Sequence, residues 1–320
     1  MKLKRILGGG VFLAAFALAG PSSALDLEET PGLDPKLPPV SERVPSEPLI
    51  VDLEAKGRTV GEHGGKLNTL IGRSKDVRLI NVWGYARLMG YTEDLELVPD
   101  LLESVDVEEG RIFTLNTREG LKWSDGHPFG AEDIRYYFED VVSNPELTPS
   151  GLPHFLLADG KGTKFEVLDE TTVRFTWDAP NPLFLTELAK ARPPFIYRPA
   201  HYLKQFHEKY GDPETIAAEA EKVKARSWAP LHNKKDDMYS ARNVDLPSLQ
   251  PWVRRDDSSD LRFILVRNPF YHRVDSTGQQ LPYIDEIIMT VADGKLIPAK
   301  TQAGETNLQA RNLNFSDITV

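Results

Sequence analysis

Short runs of β-branched and aromatic residues, punctuated by Gly and Asp turns, dominate the middle of this chain. Arg111-Ile112-Phe113-Thr114-Leu115-Asn116-Thr117 reads as a strand. Together with the stretch from Val105 it predicts a hairpin around Glu109-Gly110. A second hairpin is predicted from 165–167 and 172–177, joined by Leu168-Asp169-Glu170-Thr171. Ser124-Asp125-Gly126 is turn chemistry, because Asp bonds its own backbone and Gly accepts positive φ. Gly130 then stands at a helix N-cap, with Glu132 and Asp133 in the first turn and an apolar face of Ile134, Tyr137, Phe138, Val141 and Val142. Further helices are predicted over 182–190, 199–210 and 213–228, the last ending before Pro230. Pro251-Trp252-Val253-Arg254-Arg255 and 261–266 alternate like paired strands, and 284–291 reads as a core strand. Val77 to Trp83 is apolar enough to be partly buried, with a strand ending near Ile80.

The ends of the chain follow different rules. Residues 1–24 have the form of a secretory signal peptide: Lys2, Lys4 and Arg5, an apolar run from Ile6 to Ala19, then Ser22-Ser23-Ala24. Cleavage after Ala24 and an exported, periplasmic location are expected. The apolar run has 14 residues, short of the roughly 20 that cross a bilayer. Residues 25–48 carry Pro31, Pro35, Pro38, Pro39, Pro45 and Pro48 and read as an extended arm; 49–53 holds a short strand.

Composition narrows the function. The formal charge of −10 becomes −13 without residues 1–24, which hold three basic and no acidic side chains. An acidic chain argues against nucleic acid as a partner. There is no cysteine, which removes disulfides, thiol nucleophiles and a lipidated anchor. No G-x-S-x-G, H-E-x-x-H or P-loop pattern occurs. His201 and His207 lie six apart on a predicted helix, on different faces, so they do not share a metal. Neither a catalytic residue, a metal site nor a cofactor is expected.

The stretch Arg118-Glu119-Gly120-Leu121-Lys122-Trp123-Ser124-Asp125-Gly126-His127-Pro128-Phe129-Gly130-Ala131-Glu132-Asp133-Ile134 resembles the signature of the family 5 extracellular solute-binding proteins, the oligopeptide/nickel-type receptors of bacterial ABC importers. Gly130 departs from the family's usual Thr or Ser at the cap. The same resemblance runs in order through Gly64-Gly65-Lys66-Leu67-Asn68-Thr69-Leu70-Ile71-Gly72, His201-Tyr202-Leu203-Lys204-Gln205-Phe206-His207, Leu281-Pro282-Tyr283-Ile284-Asp285 and Ala303-Gly304-Glu305-Thr306-Asn307, where Asn307 replaces the usual Asp.

The resemblance implies an α/β, periplasmic-binding-protein type II-like fold, a mixed sheet flanked by helices. Residues 49–320 would form an incomplete lobe I, with lobe II missing and the chain a fragment. It implies a monomeric, non-enzymatic receptor that binds a peptide or other small solute and delivers it to an ABC permease at the inner membrane. A secreted hydrolase, or a non-transport periplasmic interaction or sensory protein, are the competing readings. The resemblance also places part of the lobe I ligand wall after the early strand, so Asn81, Trp83, Tyr85 and Arg87 are the candidate ligand-binding residues. Trp and Tyr stack on a sugar or cover peptide side chains, and Asn81 bonds an amide or hydroxyl. The signature itself is expected to be a buried structural turn.

Overall fold

The computed structural model describes residues 25–240, 243–255, 259 and 261–319. The expected signal peptide lies outside the described residues. Two four-stranded sheets organise the rest. The first has the order Trp252–Arg254, Arg262–Arg267, Ile284–Val291, Gly64–Ile71. Its last pair is parallel and the others antiparallel. The period-2 pattern of the sequence becomes one apolar face: Leu67 and Ile71, Phe263 and Leu265, Ile287, Met289 and Val291 pack together.

The second sheet is wholly antiparallel, in the order Leu102–Glu108, Ile112–Thr117, Thr172–Thr176, Lys164–Val167. Both expected hairpins are there. Glu109 and Gly110 have φ of 52° and 65°, the left-handed pair that suits the twist of a tight hairpin. Phe113, Leu115, Val173 and Phe175 point to one face and are buried. They meet Trp177 and Phe184, with ring centroids 5.7 Å apart for Phe113–Trp177 and 5.1 Å for Phe175–Phe184. Each such side chain contributes about 1.5–3 kcal/mol on burial.

The helix that follows the signature turn covers this core. It starts as an α-helix at Ala131–Arg135 and widens into a π-helical stretch, Tyr136–Val142. Arg135 therefore reaches Asp140, five residues on, at 2.9 Å, as well as Glu132 and Glu139. The widening also turns Tyr136, outside the expected apolar face, into the core. Gly130 is required rather than merely tolerated. Its backbone is extended, but a Cβ there would stand 2.6 Å from the Glu170 carbonyl oxygen, which already accepts the Ala131 N–H at 2.9 Å. Gly130→Thr, the better cap in isolation, is therefore expected to lower stability by about 1–3 kcal/mol through overpacking; an unchanged or higher urea midpoint would contradict this.

Two expectations need correction. Val77 to Trp83 is not a strand: a 3₁₀ turn at Ser74–Arg78 leads into an α-helix at Leu79–Gly84, and Val77 and Ile80 pack on the first sheet. Pro230 does not lie beyond a helix. The Pro213–Lys222 helix stops early, and a second helix, Trp228–Lys235, carries Pro230 in its first turn, where a missing N–H has no intrahelical partner to lose.

The Pro-rich segment 25–48 lies against the body. Val40 and Val44 pack on Val274, and Val40–Arg43 makes a single helical turn. The segment is held both ways: the Glu28 and Ser46 N–H groups donate to the Gly278 and Glu119 carbonyls, both at 3.0 Å, and its own carbonyls accept from the body. Arg118 Nη1 bonds the Glu47 oxygen at 3.0 Å, and Lys122 and Arg267 bond those of Glu42 and Pro31.

Candidate functional site

The Leu79–Gly84 helix is pinned to the sheet by Ile80 on one side, which leaves Asn81 facing residues 236–240 and 243–250. Asn81 Nδ2 donates to the Met238 carbonyl at 2.9 Å. Between them lies a pocket of about 220 Å³, walled by Asn81, Trp123, Asp125, Tyr197, Tyr239 and Asn243 among others. It sits at the junction of the two apolar cores, with Leu265 and Trp252 of the first sheet on one side and Trp123 and Tyr197 of the larger core on the other.

The signature turn supplies a wall of this pocket, which sequence reasoning missed. Ser124 N–H donates to the Ser248 carbonyl, and Ser248 N–H donates to Ser124 Oγ, both at 3.0 Å. Trp123 is held from behind, its Nε1–H donating to Asp133 at 3.1 Å. Asp125 does not pair with the His127 ring. It accepts the His127 backbone N–H at 3.1 Å and meets His201 Nε2 at 2.8 Å, while the His127 and His201 rings stack at 3.8 Å. These hydrogen bonds pull the Asp125 carboxyl below the usual range, against the burial that raises it.

The four side chains expected at the ligand wall separate. Asn81 lines the pocket. Trp83 is 37% exposed and is not among the pocket's walls. Tyr85 and Arg87 turn to the chain's own backbone instead. Tyr85 ends the helix in a left-handed conformation, and its hydroxyl donates to the Ala189 carbonyl at 3.1 Å. Arg87 is fully buried, 3.4 Å from the centre of the Tyr85 ring. It donates to the Lys190 and Ala191 carbonyls at 2.6 and 2.7 Å, and burial pushes its guanidinium down to about 10. The physical reason is that the segment 189–191 turns its carbonyls inward, where only a buried donor satisfies them. No local pattern announces that contact, which spans about a hundred residues.

Among the described residues, no group of three or more His, Asp or Glu is placed to hold a metal. No helix among them is long and apolar enough to cross a membrane. The pocket combines aromatic walls with carboxamides, hydroxyls and a paired carboxylate, an arrangement suited to holding a small solute by shape and a few directed hydrogen bonds.

The fold is that of the type II periplasmic binding-protein class. Residues 96–317 match the family model described as bacterial extracellular solute-binding proteins, family 5 Middle, and the chain belongs to that family. It is 30% identical over 281 residues to the periplasmic alpha-galactoside-binding protein of Rhizobium meliloti (strain 1021), covering 79% of this chain and 36% of that protein. A solved oligopeptide-binding protein OppA superposes with a TM-score of 0.82 at 34% identity, over 92% of this chain and 47% of that one. The periplasmic binding protein MelB of Agrobacterium fabrum C58, in complex with stachyose, superposes with a TM-score of 0.66 at 27% identity, over 85% and 41%. The chain thus spans less than half the length of these relatives.

Proposed function

We propose that this chain is the lobe I part of an exported, periplasmic solute receptor that captures a peptide or an oligosaccharide and hands it to an ABC permease, without covalent chemistry of its own. The observation that carries the reading is the pocket between Asn81 and residues 236–240 and 243–250, walled by aromatic rings, neutral polar groups and the charged Arg78, Asp125, Asp236, Asp245 and Arg254, in a chain of the solute-binding family. Peptide is the first ligand class, supported by the likeness to OppA. The relatives that bind an alpha-galactoside and stachyose support an oligosaccharide as the second, and Trp and Tyr faces beside carboxamides suit a hydroxylated ring as well as a peptide.

Asn81 is the contact residue in this reading, while Tyr85 and Arg87 hold the helix that presents it. The test is native mass spectrometry and calorimetry of the purified receptor against a di- to pentapeptide mixture and against stachyose. A one-to-one complex with one of the two is expected, and Asn81→Ala is expected to weaken it by about tenfold, the worth of one hydrogen bond. Hydrolysis of either ligand, with no stable complex, would overturn the receptor reading in favour of a secreted hydrolase.

A further inference from the structure

The carboxylate of Asp125 is held more firmly than its turn requires. Oδ1 accepts the His127 N–H at 3.1 Å, an Asx bond that shapes the turn by itself. Oδ2 is held from a distant part of the chain. His201 Nε2 donates to it at 2.8 Å, 76 residues on, from the Ala200–Leu203 helix. The His201 ring is itself fixed. It stacks on the His127 ring with centroids 3.8 Å apart and planes 5° apart, and it meets Trp123 at 6.3 Å. Its Nδ1 is buried without a partner, which suits the bare nitrogen of a neutral ring whose proton is on Nε2. The turn beneath has little room to shift, since a Cβ at Gly126 would meet the Phe270 ring at 3.0 Å.

What this leaves open belongs to the pocket, which Asp125 lines. A carboxylate offers about four lone-pair sites, and the protein's groups give Asp125 two hydrogen bonds. With His201 neutral, neither donor cancels the negative charge. The carboxyl is held below the usual range, so it is ionised at neutral pH. The pocket's other carboxylates differ. Asp236 is tied to Arg198 Nε at 2.6 Å, and no hydrogen bond or ion pair among the described residues fixes the exposed Asp245. Asp125 thus presents to the pocket a charge whose orientation is already set, which spares a bound solute the cost of ordering it.

We infer that Asp125 is a ligand contact of this pocket, accepting a hydrogen bond from a donor group of the solute, and that His201 is the positioning residue that holds the carboxylate for that contact. The inference rests on the receptor reading above and adds to Asn81 a second polar contact, supplied by the signature turn. The donor is a sugar hydroxyl or a peptide ammonium. Both offer a proton to an ionised oxygen, and they differ in charge.

The test is calorimetry of the purified receptor and its variants with whichever of stachyose and the peptides forms the complex. Asp125→Asn keeps an acceptor for the His127 N–H and loses the charge. It is expected to weaken binding about tenfold where the donor is a hydroxyl and about a hundredfold where it is an ammonium, the span for hydrogen bonds to charged groups. Raising salt from about 0.01 M to about 0.1 M separates the two again, weakening only the ammonium contact. His201→Gln sets an N–H near the place of Nε2 and is expected to bind like the unaltered receptor. His201→Leu has similar bulk and no donor, and a loss of about tenfold is expected. In the Asp125→Asn background the same change is expected to cost nothing further, a coupling that a general loosening of the fold would not reproduce. An Asp125→Asn receptor with an unchanged urea midpoint and an affinity within about twofold of the unaltered one overturns the contact. A His201→Leu loss that persists in full in the double variant overturns the positioning role. NMR of the unaltered receptor covers a variant that fails to fold: the His201 ring resonances are expected to move when the solute binds, and resonances that stay in place overturn the inference. A receptor that binds neither class overturns the receptor reading and this inference together, whereas one that binds and ignores Asp125 overturns the inference alone.

Discussion

Replacing Asp100 by Ala is expected to cost about 3–5 kcal/mol, the range for removing one partner of a buried ion pair. On a chain of this size that lowers Tm by about 10 °C. Asp100 is buried at the junction between the 49–51 and 273–275 strands and the second sheet, and three groups converge on its carboxylate. Arg273 donates from Nη2 at 2.7 Å, His272 from Nε2 at 2.7 Å, and the Arg87 backbone N–H at 3.0 Å. Its own carbonyl accepts Arg118 Nε at 2.9 Å. Without the carboxylate, Arg273 keeps a charge that has lost its counterion in a low-dielectric site, and His272 keeps an unmatched N–H.

The pH dependence has a definite sign. Burial alone would raise Asp100, but Arg273 and His272 hold its carboxyl far below the usual range. Its contribution is thus complete above the ordinary carboxylate value of about 4 and is lost only as pH falls toward the folded value. His272 is depressed by burial, so its neutral form is the folded one. Stability linked to it is complete above about 6.5 and declines as pH falls below that, because the unfolded chain binds the proton first. Both proteins therefore begin to lose the His272-linked stability below about 6.5, and the gap between them narrows only as pH falls below about 4, where the wild type loses the Asp100 contribution that the variant lacks. Urea melts from pH 8 to pH 4 read both effects, and a Tm within about 2 °C of wild type at neutral pH, less than 1 kcal/mol on this scale, would show that the cluster does not organise the junction.

Much of this architecture is legible in the chain because its strands obey a short period. Phe113 and Leu115, or Val173 and Phe175, alternate with polar residues, and Glu109-Gly110 announces its turn. Val77 to Trp83 was harder. A seven-residue stretch with five apolar residues fits a buried strand or a helix face equally well, and the spacing of three between Val77 and Ile80 is too short a sample to decide. Pro230 misleads because proline stops a helix in its interior yet suits its first turn. The pocket is the least legible part. Asn81 lines it, but its partner Met238 is 157 residues away. Arg87 and Tyr85 bond the inward carbonyls of 189–191, contacts that no local pattern announces.

Asp133→Asn is expected to cost about 3 kcal/mol and to loosen two walls of the pocket together. The carboxylate of Asp133 accepts only N–H groups. Oδ2 takes Trp123 Nε1–H and the Gly130 N–H, both at 3.1 Å, and Oδ1 takes the Ala200 N–H at 3.0 Å. An Asn side chain turns an NH₂ toward one of these sets, so either the tryptophan and the cap or the Ala200 amide faces a donor with no acceptor. A buried donor left unpaired costs about 1–3 kcal/mol, and more where a charged acceptor is lost. Trp123 lines the pocket directly, and Ala200 follows the pocket-lining Pro199, so the loss reaches the site as well as the core. Burial pushes the Asp133 carboxyl up to about 6, against the three N–H donors that pull it down. Between about 4 and about 6 the folded protein therefore holds a proton that the unfolded chain has released. Wild-type stability from this group falls as pH rises through that window and is level above it. The Asn variant has no such titration. The gap between the two proteins should be present at pH 7.5 and wider at pH 5, read from urea midpoints, with the near-ultraviolet dichroism of Trp123 reduced in the variant at both. Equal midpoints at pH 7.5 would mean that the carboxylate is not what holds Trp123 and the Pro199–Ala200 turn together.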